Sequence, residues 1–76
     1  MGEVKKLDVR GKFCPLPVLE TAKTINDVPI GGVLEVLATD PAAEPDLITW
    51  AKRMGHEVVA AEKAGGVVKV SIRRVK

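Results

Sequence analysis

The residues best suited to chemistry surround the single cysteine, Cys14, with basic residues before it at Arg10 and Lys12 and prolines after it at Pro15 and Pro17. Positive charge and a helix N-terminus both lower the pKa of a thiol and so favour the nucleophilic thiolate. Cys14 lies where a strand pattern gives way to a helix pattern, among backbone N–H groups without helical partners. Arg10 and Lys12 strengthen this effect if their side chains point toward the sulfur. We therefore expect a presented and moderately activated thiol.

The two prolines act on this site in opposite ways. Neither has a backbone N–H, so the amides of Cys14, Leu16 and Val18 are the ones left to donate to an anion at the start of the helix. Both also fix φ at about −65°, which stiffens the loop and sets the direction in which the sulfur projects. A rigid loop suits a thiol that another protein must reach.

A structural cysteine buried in the core is the first alternative, because free cysteine is among the most buried residue types. The position of Cys14 before Pro-Leu-Pro, off the apolar stripe of the following helix, argues against that role. With one cysteine and one histidine, His56, the sequence offers no disulfide and no Cys/His cluster for a metal, and we expect no cofactor. The absence of a Cys-x-x-Cys pair also argues against a thiol redox module.

Hydrophobic periodicity places the reactive stretch between the first strand and the first helix. Alternating apolar and polar residues predict a strand over 4–10, which Gly11 ends with an unusual φ. Apolar residues at helical spacing predict an amphipathic helix over 15–27. Its apolar stripe consists of Val18, Leu19, Ala22 and Ile25, and Thr21 belongs to the opposite, polar side.

The middle of the chain predicts a second strand and a second helix. A run rich in Val and Leu predicts a mostly covered strand over 33–39. Apolar residues at helical spacing between 47 and 54 predict the helix, and Gly55 favours its C′ position. Asp40 and Pro41 favour the N-cap and first position of this helix, with a later start near Pro45 left open.

The end of the chain completes the order β-α-β-α-β-β. Alternation on both sides of residues 64–66 predicts a hairpin over 56–63 and 67–75. Because a strand-helix-strand crossover is right-handed and parallel, the first two strands run side by side and the hairpin adds antiparallel pairs. We predict an α+β fold, a two-layer α/β sandwich with two helices on one face of a mixed four-stranded sheet. The residues expected on the open face are Lys69, Ser71 and Arg73, with Val33, Leu37 and Val59 as a patch for weak self-association.

The length and composition of the chain limit the classes of function that it could have. Seventy-six residues predict a single domain, 1–76, without room for a large internal cavity. No apolar run is long enough to span a membrane and no secretory signal is visible, so we expect a cytoplasmic protein without a membrane partner. A net charge of +2 and two aromatic residues give no support to direct nucleic-acid binding. We expect a monomer, with a weak dimer left open.

The reactive stretch resembles the signature of the TusA/SirA-type sulfur-carrier proteins, which are small domains built around a Cys-Pro-x-Pro element. The likeness rests on Asp8-x-x-Gly11-x-x-Cys14-Pro15-x-Pro17 and continues through Asp40-Pro41-Ala42, Trp50 and Gly55-His56, so it covers nearly the whole chain. The resemblance implies a two-layer βαβαββ sandwich, in agreement with the order predicted above. It also implies that the motif cysteine accepts sulfane sulfur as a persulfide and passes it on, in tRNA thiolation, molybdenum-cofactor maturation or sulfur oxidation.

The resemblance implies two protein partners, a sulfur donor of the desulfurase or rhodanese type and a sulfur acceptor. The residues expected to support the site loop are Asp8, Arg10, Gly11, Lys12, Pro15 and Pro17. Phe13 and Asp40 are candidates for partner docking, and a helix N-cap is the favoured alternative for Asp40. Asp8 is expected to form hydrogen bonds that shape the loop.

A non-catalytic regulatory or RNA- or protein-binding adaptor of the same fold is the alternative function. In this reading Arg10, Lys12, Arg73 and Arg74 form a basic rim that binds an acidic partner or RNA. A shared fold is a poor guide to function, so the choice depends on the site.

Overall fold

Four strands and two helices follow the predicted order in the computed structural model, which describes residues 4–13 and 16–76. The strands are β1 (Val4–Asp8), β2 (Val33–Ala38), β3 (Glu57–Ala64) and β4 (Val67–Arg73). The helices are α1 (Leu16–Thr24), which a 3₁₀ turn (Ile25–Asp27) continues, and α2 (Ala43–Arg53). No helix of the described part of the chain is long and apolar enough to cross a membrane.

The four strands form one mixed sheet in the order β1-β2-β4-β3. β1 and β2 are parallel, with Asp8 opposite Leu37, and β4 is antiparallel to both β2 and β3. The predicted parallel pair and antiparallel hairpin are therefore confirmed. Parallel strands end at the same edge of a sheet, so the segments that follow β1 and β2 meet there.

Both helices cover the same face of this sheet. The sheet contributes to the core the alternate residues Leu34, Val36, Ala38, Val68, Val70 and Ile72, and the helical layer contributes Ile25, Ala43, Leu47 and Ala51. This alternation is the period-2 pattern of a sheet with one covered face. The predicted two-layer α+β sandwich is confirmed.

The buried side of α1 differs from the predicted one. Thr21 is fully buried, whereas Leu19, predicted to face the core, is 51% exposed. The buried residues Pro17, Thr21 and Ile25 follow each other at intervals of four, so they form a stripe next to the predicted one. Thr21 tolerates burial because its hydroxyl donates to the carbonyl oxygen of Pro17 at 2.7 Å. The predicted helix over 15–27 also tightens to a 3₁₀ turn at Ile25.

The start of α2 lies two residues after the position predicted from Asp40. The helix begins at Ala43, and its N-cap residue is Ala42, which makes no side-chain capping bond. The Asp40 carboxylate instead accepts from the Ala42 N–H at 3.0 Å, and the Asp40 carbonyl accepts from Ala43 at 2.9 Å. Asp40 therefore closes the turn before the helix, a common role of aspartate two residues ahead of the amide it binds. Gly55 has φ +79° just past the helix, as the predicted C′ position requires.

The open face of the sheet carries cross-strand ion pairs. Lys69 pairs with Glu62 at 3.8 Å, and Arg73 pairs with Glu57 at 3.0 Å. Ser71, predicted to be solvated on this face, is instead nearly buried at 9% exposure. Short side chains in a central strand lie below the level of longer neighbours, and Ser71 is flanked by Glu35 and Ala60 on the adjoining strands.

Candidate functional site

Cys14 and Pro15 lie outside the described residues, so their predicted roles remain predictions. The chain approaches them through Phe13 and leaves them through Leu16, whose N–H donates to the carbonyl oxygen of Phe13 at 2.9 Å. The Leu16 amide was one of the three expected to donate to an anion at the start of the helix. That expectation is wrong for Leu16, because its hydrogen is already bound by the backbone.

The loop before Cys14 begins with a clamp between Asp8 and Arg10. The guanidinium group of Arg10 donates through Nε to Asp8 Oδ1 at 2.9 Å and through NH2 to Asp8 Oδ2 at 2.8 Å. The backbone N–H of Arg10 also donates to Asp8 Oδ1, at 3.0 Å. Three charge-assisted hydrogen bonds therefore fold the end of β1 around one carboxylate.

This clamp changes the electrostatics of the loop. Hydrogen bonds from the Arg10 side chain and backbone lower the pKa of Asp8 to about 2, and the same pairing raises the pKa of Arg10. Asp8 and Arg10 are thus both charged at every pH near neutrality. The positive charge of Arg10 is offset by the adjacent carboxylate, so a direct effect of Arg10 on the Cys14 thiol is weaker than its charge alone predicts.

The rest of the loop is fastened to β2. The Val9 N–H donates to the Leu37 carbonyl at 2.8 Å, and the Lys12 N–H returns to the Val9 carbonyl at 3.2 Å. Gly11 has φ +83°, a conformation that glycine adopts readily and other residues do not. Its N–H donates to Thr39 Oγ1 at 2.9 Å, across a separation of 28 residues in the chain.

Thr39 is a residue of this region that sequence reasoning missed. The sequence did contain a signal for it, because Thr39 directly follows β2 and parallel strands bring their carboxyl ends to one edge of the sheet. A polar residue at that position is a candidate partner for the loop after β1. Its specific bond to the Gly11 amide requires the register Asp8 opposite Leu37, which the sequence does not state.

An exposed apolar surface lies on both sides of the undescribed pair. Phe13 is 72% exposed, Leu16 is 45% exposed, and Leu19 lies one turn further along α1 on the same side. The helix presents Leu16 and Leu19 to solvent because it buries Pro17 and Thr21 instead. We call Phe13, Leu16 and Leu19 the apolar collar.

The first turn of α1 combines a buried proline with an absence of acidic residues. Pro17 is among the fully buried side chains, so it packs in the core as well as restricting the loop. Leu16, Pro17 and Val18 place no carboxylate in the described first turn. The positive end of the helix dipole is therefore not offset by an acidic side chain of its own first turn.

The four residues of the predicted basic rim do not form one surface. Arg10 and Lys12 follow β1 at the edge marked by Leu37, whereas Arg73 pairs with Val33 at the other end of β2. Four residue steps of a strand separate these ends by about 13 Å. Arg10 and Arg73 are each bound in an ion pair, and Arg74 donates to the carbonyl oxygen of Val28 at 2.8 Å.

A surface groove of about 370 Å³ lies between the two helices. Its lining residues are Val18, Asp46, Thr49, Trp50 and Arg53. Trp50 is half-buried and packs on the core from this groove. The described residues contain no group of His, Cys, Asp and Glu side chains that could hold a metal ion.

Comparison with known proteins identifies relatives along nearly the full chain. A family described as "Sulfurtransferase TusA" matches residues 5–74. The putative sulfur carrier protein YrkI of Bacillus subtilis is 39% identical over 97% of this chain and 99% of its own length. A putative sulfur carrier protein of Archaeoglobus fulgidus is 36% identical over 92% and 96%, and the sulfur carrier protein TusA of Allochromatium vinosum is 42% identical over 82% of both.

A solved structure gives the same fold. The crystal structure of a SirA-like protein from Desulfitobacterium hafniense superposes with a TM-score of 0.80 and is 30% identical in sequence. The alignment covers 96% of this chain and 99% of that one. The agreement extends over both helices and the sheet that together position the loop after β1.

Proposed function

Since this chain belongs to the TusA family of sulfur carriers, we propose that Cys14 carries sulfane sulfur as a persulfide from a donor protein to an acceptor protein. The observation that carries the proposal is that the family match runs from residue 5 to residue 74 and so includes the only cysteine of the chain. In this proposal residues 1–76 form one carrier domain working in the reducing cytoplasm, where the thiol stays free.

Loading and unloading are two thiol exchange reactions. The Cys14 thiolate attacks the terminal sulfur of a donor persulfide, so a new S–S bond forms at Cys14 as the donor S–S bond breaks and the donor cysteine leaves as a thiolate. An acceptor thiolate then attacks the carried sulfur, and Cys14 leaves as a thiolate. The transferred sulfur keeps its oxidation state, so the relay needs neither an external oxidant nor a reductant.

Three features of the described residues support such a site. The N-terminal end of α1 favours an anion, and no carboxylate of its described first turn opposes that effect. The Asp8–Arg10 clamp and the turn at Gly11 fix the chain that leads into the motif. Lys12, Pro15 and Pro17 keep their proposed supporting roles, Pro17 in part through its packing in the core.

A single cysteine suits a carrier. A second thiol in the same chain would attack the persulfide, form an internal disulfide and release sulfide. This sequence has no such resolving thiol, so the sulfur must be passed to another molecule.

Partner proteins are proposed to dock on the apolar collar beside Cys14. Exposed aromatic and aliphatic side chains are the usual anchors of protein interfaces, and Phe13 is the most exposed of the large apolar residues that the structure describes. Asp40 follows β2 at the same edge of the sheet and keeps its proposed docking role. The proposed donor is a desulfurase or rhodanese-type protein, and the proposed pathways are tRNA thiolation, molybdenum-cofactor maturation and sulfur oxidation.

The test is intact mass measurement after incubation with a persulfide-loaded rhodanese domain. We expect a gain of one sulfur atom that a thiol reductant removes, and no gain in the Cys14→Ser variant. The loaded protein should then transfer radiolabelled sulfur to an acceptor thiol. A native protein that gains no sulfur, or a Cys14→Ser variant that gains as much as the native chain, contradicts the proposal.

A further inference from the structure

The Thr39 hydroxyl ties the loop before Cys14 to the neighbouring strand. Thr39 Oγ1 accepts the Gly11 N–H at 2.9 Å. The other described hydrogen bonds of residues 10–13 stay within residues 8–16. Among the described residues, this bond joins Gly11 itself to the segment after β2, while Val9, at the start of the same turn, is bonded to Leu37 of β2.

The bond restrains a glycine, whose backbone has more conformational freedom than that of other residues. Gly11 has φ +83° with no atom beyond its two chain neighbours within 4 Å of the position a Cβ would take. No packing on that side therefore holds Gly11 in place. Gly11 is held by its N–H bond to Thr39 and by the turn from Lys12 to Val9.

We propose that Thr39 is a positioning residue for sulfur transfer, because its hydroxyl fixes the point from which residues 12 and 13 lead to Cys14. This inference rests on the proposed carrier function. Thr39 acts through Gly11, and the proposal requires no contact between Thr39 and the sulfur. Its role is to keep the loop in one arrangement before a partner arrives.

The proposal predicts different effects on large and small reactants. A partner protein must match the loop and the apolar collar together, so a loop that is not held in advance costs ordering entropy on binding. A small alkylating reagent meets the thiol alone and needs no such match. Loss of the Thr39 hydroxyl should therefore slow transfer from a protein donor and leave alkylation of Cys14 by iodoacetamide unchanged.

The experiment compares Thr39→Val, which keeps the shape and loses the acceptor, with Thr39→Ser, which keeps the acceptor. Thr49→Val, at an exposed threonine of α2, controls for removal of a hydroxyl elsewhere. Loss of one hydrogen bond corresponds to a rate change of about threefold to tenfold. We expect Thr39→Val to slow transfer from a persulfide-loaded rhodanese domain by that factor and to speed hydrogen exchange of the Gly11 amide, with Thr39→Ser within about twofold of the native rate.

The outcomes separate this inference from the function on which it rests. If the native protein takes sulfur neither from the rhodanese domain nor from inorganic polysulfide, the carrier function itself is wrong. If the native protein is loaded and Thr39→Val is loaded by the rhodanese domain at the same rate, the role of Thr39 is wrong. A melting temperature, an alkylation rate and a transfer rate that all fall together in Thr39→Val would also overturn it, since that pattern indicates general loss of structure.

Discussion

The ring of His56 accepts a hydrogen bond at Nδ1 from the backbone N–H of Val75, at 3.2 Å. The same ring lies against Trp50, with ring centroids 5.7 Å apart, and the His56 N–H donates to the Ala51 carbonyl at 2.8 Å. His56 thus joins the end of α2 to the segment that follows β4. Because Nδ1 is an acceptor here, the bond requires that this nitrogen carry no proton.

Stability should fall as the solution becomes acidic through the range in which His56 titrates. Burial, and then the charges of Arg74 and Lys76, lower the pKa of His56 from its ordinary value of 6.5. The unfolded chain therefore protonates His56 more readily than the folded chain does. The stability that neutral His56 contributes is complete above pH 6.5 and is lost as the pH falls toward the lower pKa of the folded state. Urea unfolding at several pH values measures it. His56→Asn, which keeps an acceptor but does not titrate, should lose less stability over that range, and parallel curves for the two proteins would contradict the prediction.

The carboxylate of Asp8 should titrate at about pH 2, and its pKa should return toward 3.8 in Arg10→Gln. The reason is that Arg10 supplies the hydrogen bonds that stabilise the ionised form. Carbon-13 chemical shifts of the carboxyl group against pH measure both values. The stabilising effect of the pair is present above pH 3.8 and is lost as pH falls toward 2. Equal Asp8 titrations in the two proteins would show that the clamp does not exist in solution.

Substitutions at Thr21 and Leu19 test which face of α1 is buried. Thr21→Ala removes a buried methyl group and a buried hydrogen bond, and should lower the free energy of unfolding by about 1 to 2 kcal/mol. Leu19→Ala changes an exposed side chain and should alter that free energy by no more than about 0.5 kcal/mol. Chemical denaturation measures both. The reverse ranking would mean that the apolar stripe read from the sequence is the buried one.

Phe13→Ala should slow loading by a protein donor without changing folding or the small-molecule chemistry of Cys14. Phe13 is 72% exposed, so its removal leaves the core intact, while an exposed aromatic that directly precedes Cys14 in the sequence is expected to anchor a partner. Ile30→Ala is the matched control, because Ile30 is 68% exposed and precedes β2 at the opposite end of the sheet. Transfer from a persulfide-loaded rhodanese domain and alkylation by iodoacetamide are measured side by side. Equal transfer rates for the two variants would exclude docking at Phe13.

Periodicity predicted the sheet well because the covered and open faces impose a strict alternation on β2 and β4. It predicted the face of α1 poorly, because hydropathy ranks Leu19 above Thr21 and cannot know that the Thr21 hydroxyl finds a carbonyl one turn earlier. The helix start after Asp40 was displaced for a similar reason, since the same carboxylate can cap a helix or close a turn.

The candidate site also contains one interaction that the sequence predicted and one that it did not. Asp8 was expected to form hydrogen bonds that shape the loop, and it does so with Arg10, which lies only two residues later in the sequence. The bond between Gly11 and Thr39 depends on the register of two strands that are far apart in sequence. Local patterns do not encode such a register, so Thr39 became visible only in the folded chain.

The ion pairs Lys69–Glu62 and Arg73–Glu57 bear on how this molecule behaves among many copies of itself. Stacking two uncovered sheets would strip water from both pairs in each copy, and that dehydration opposes the attraction between the few apolar side chains beside them. The two ion pairs therefore oppose association of two molecules through the open faces of their sheets.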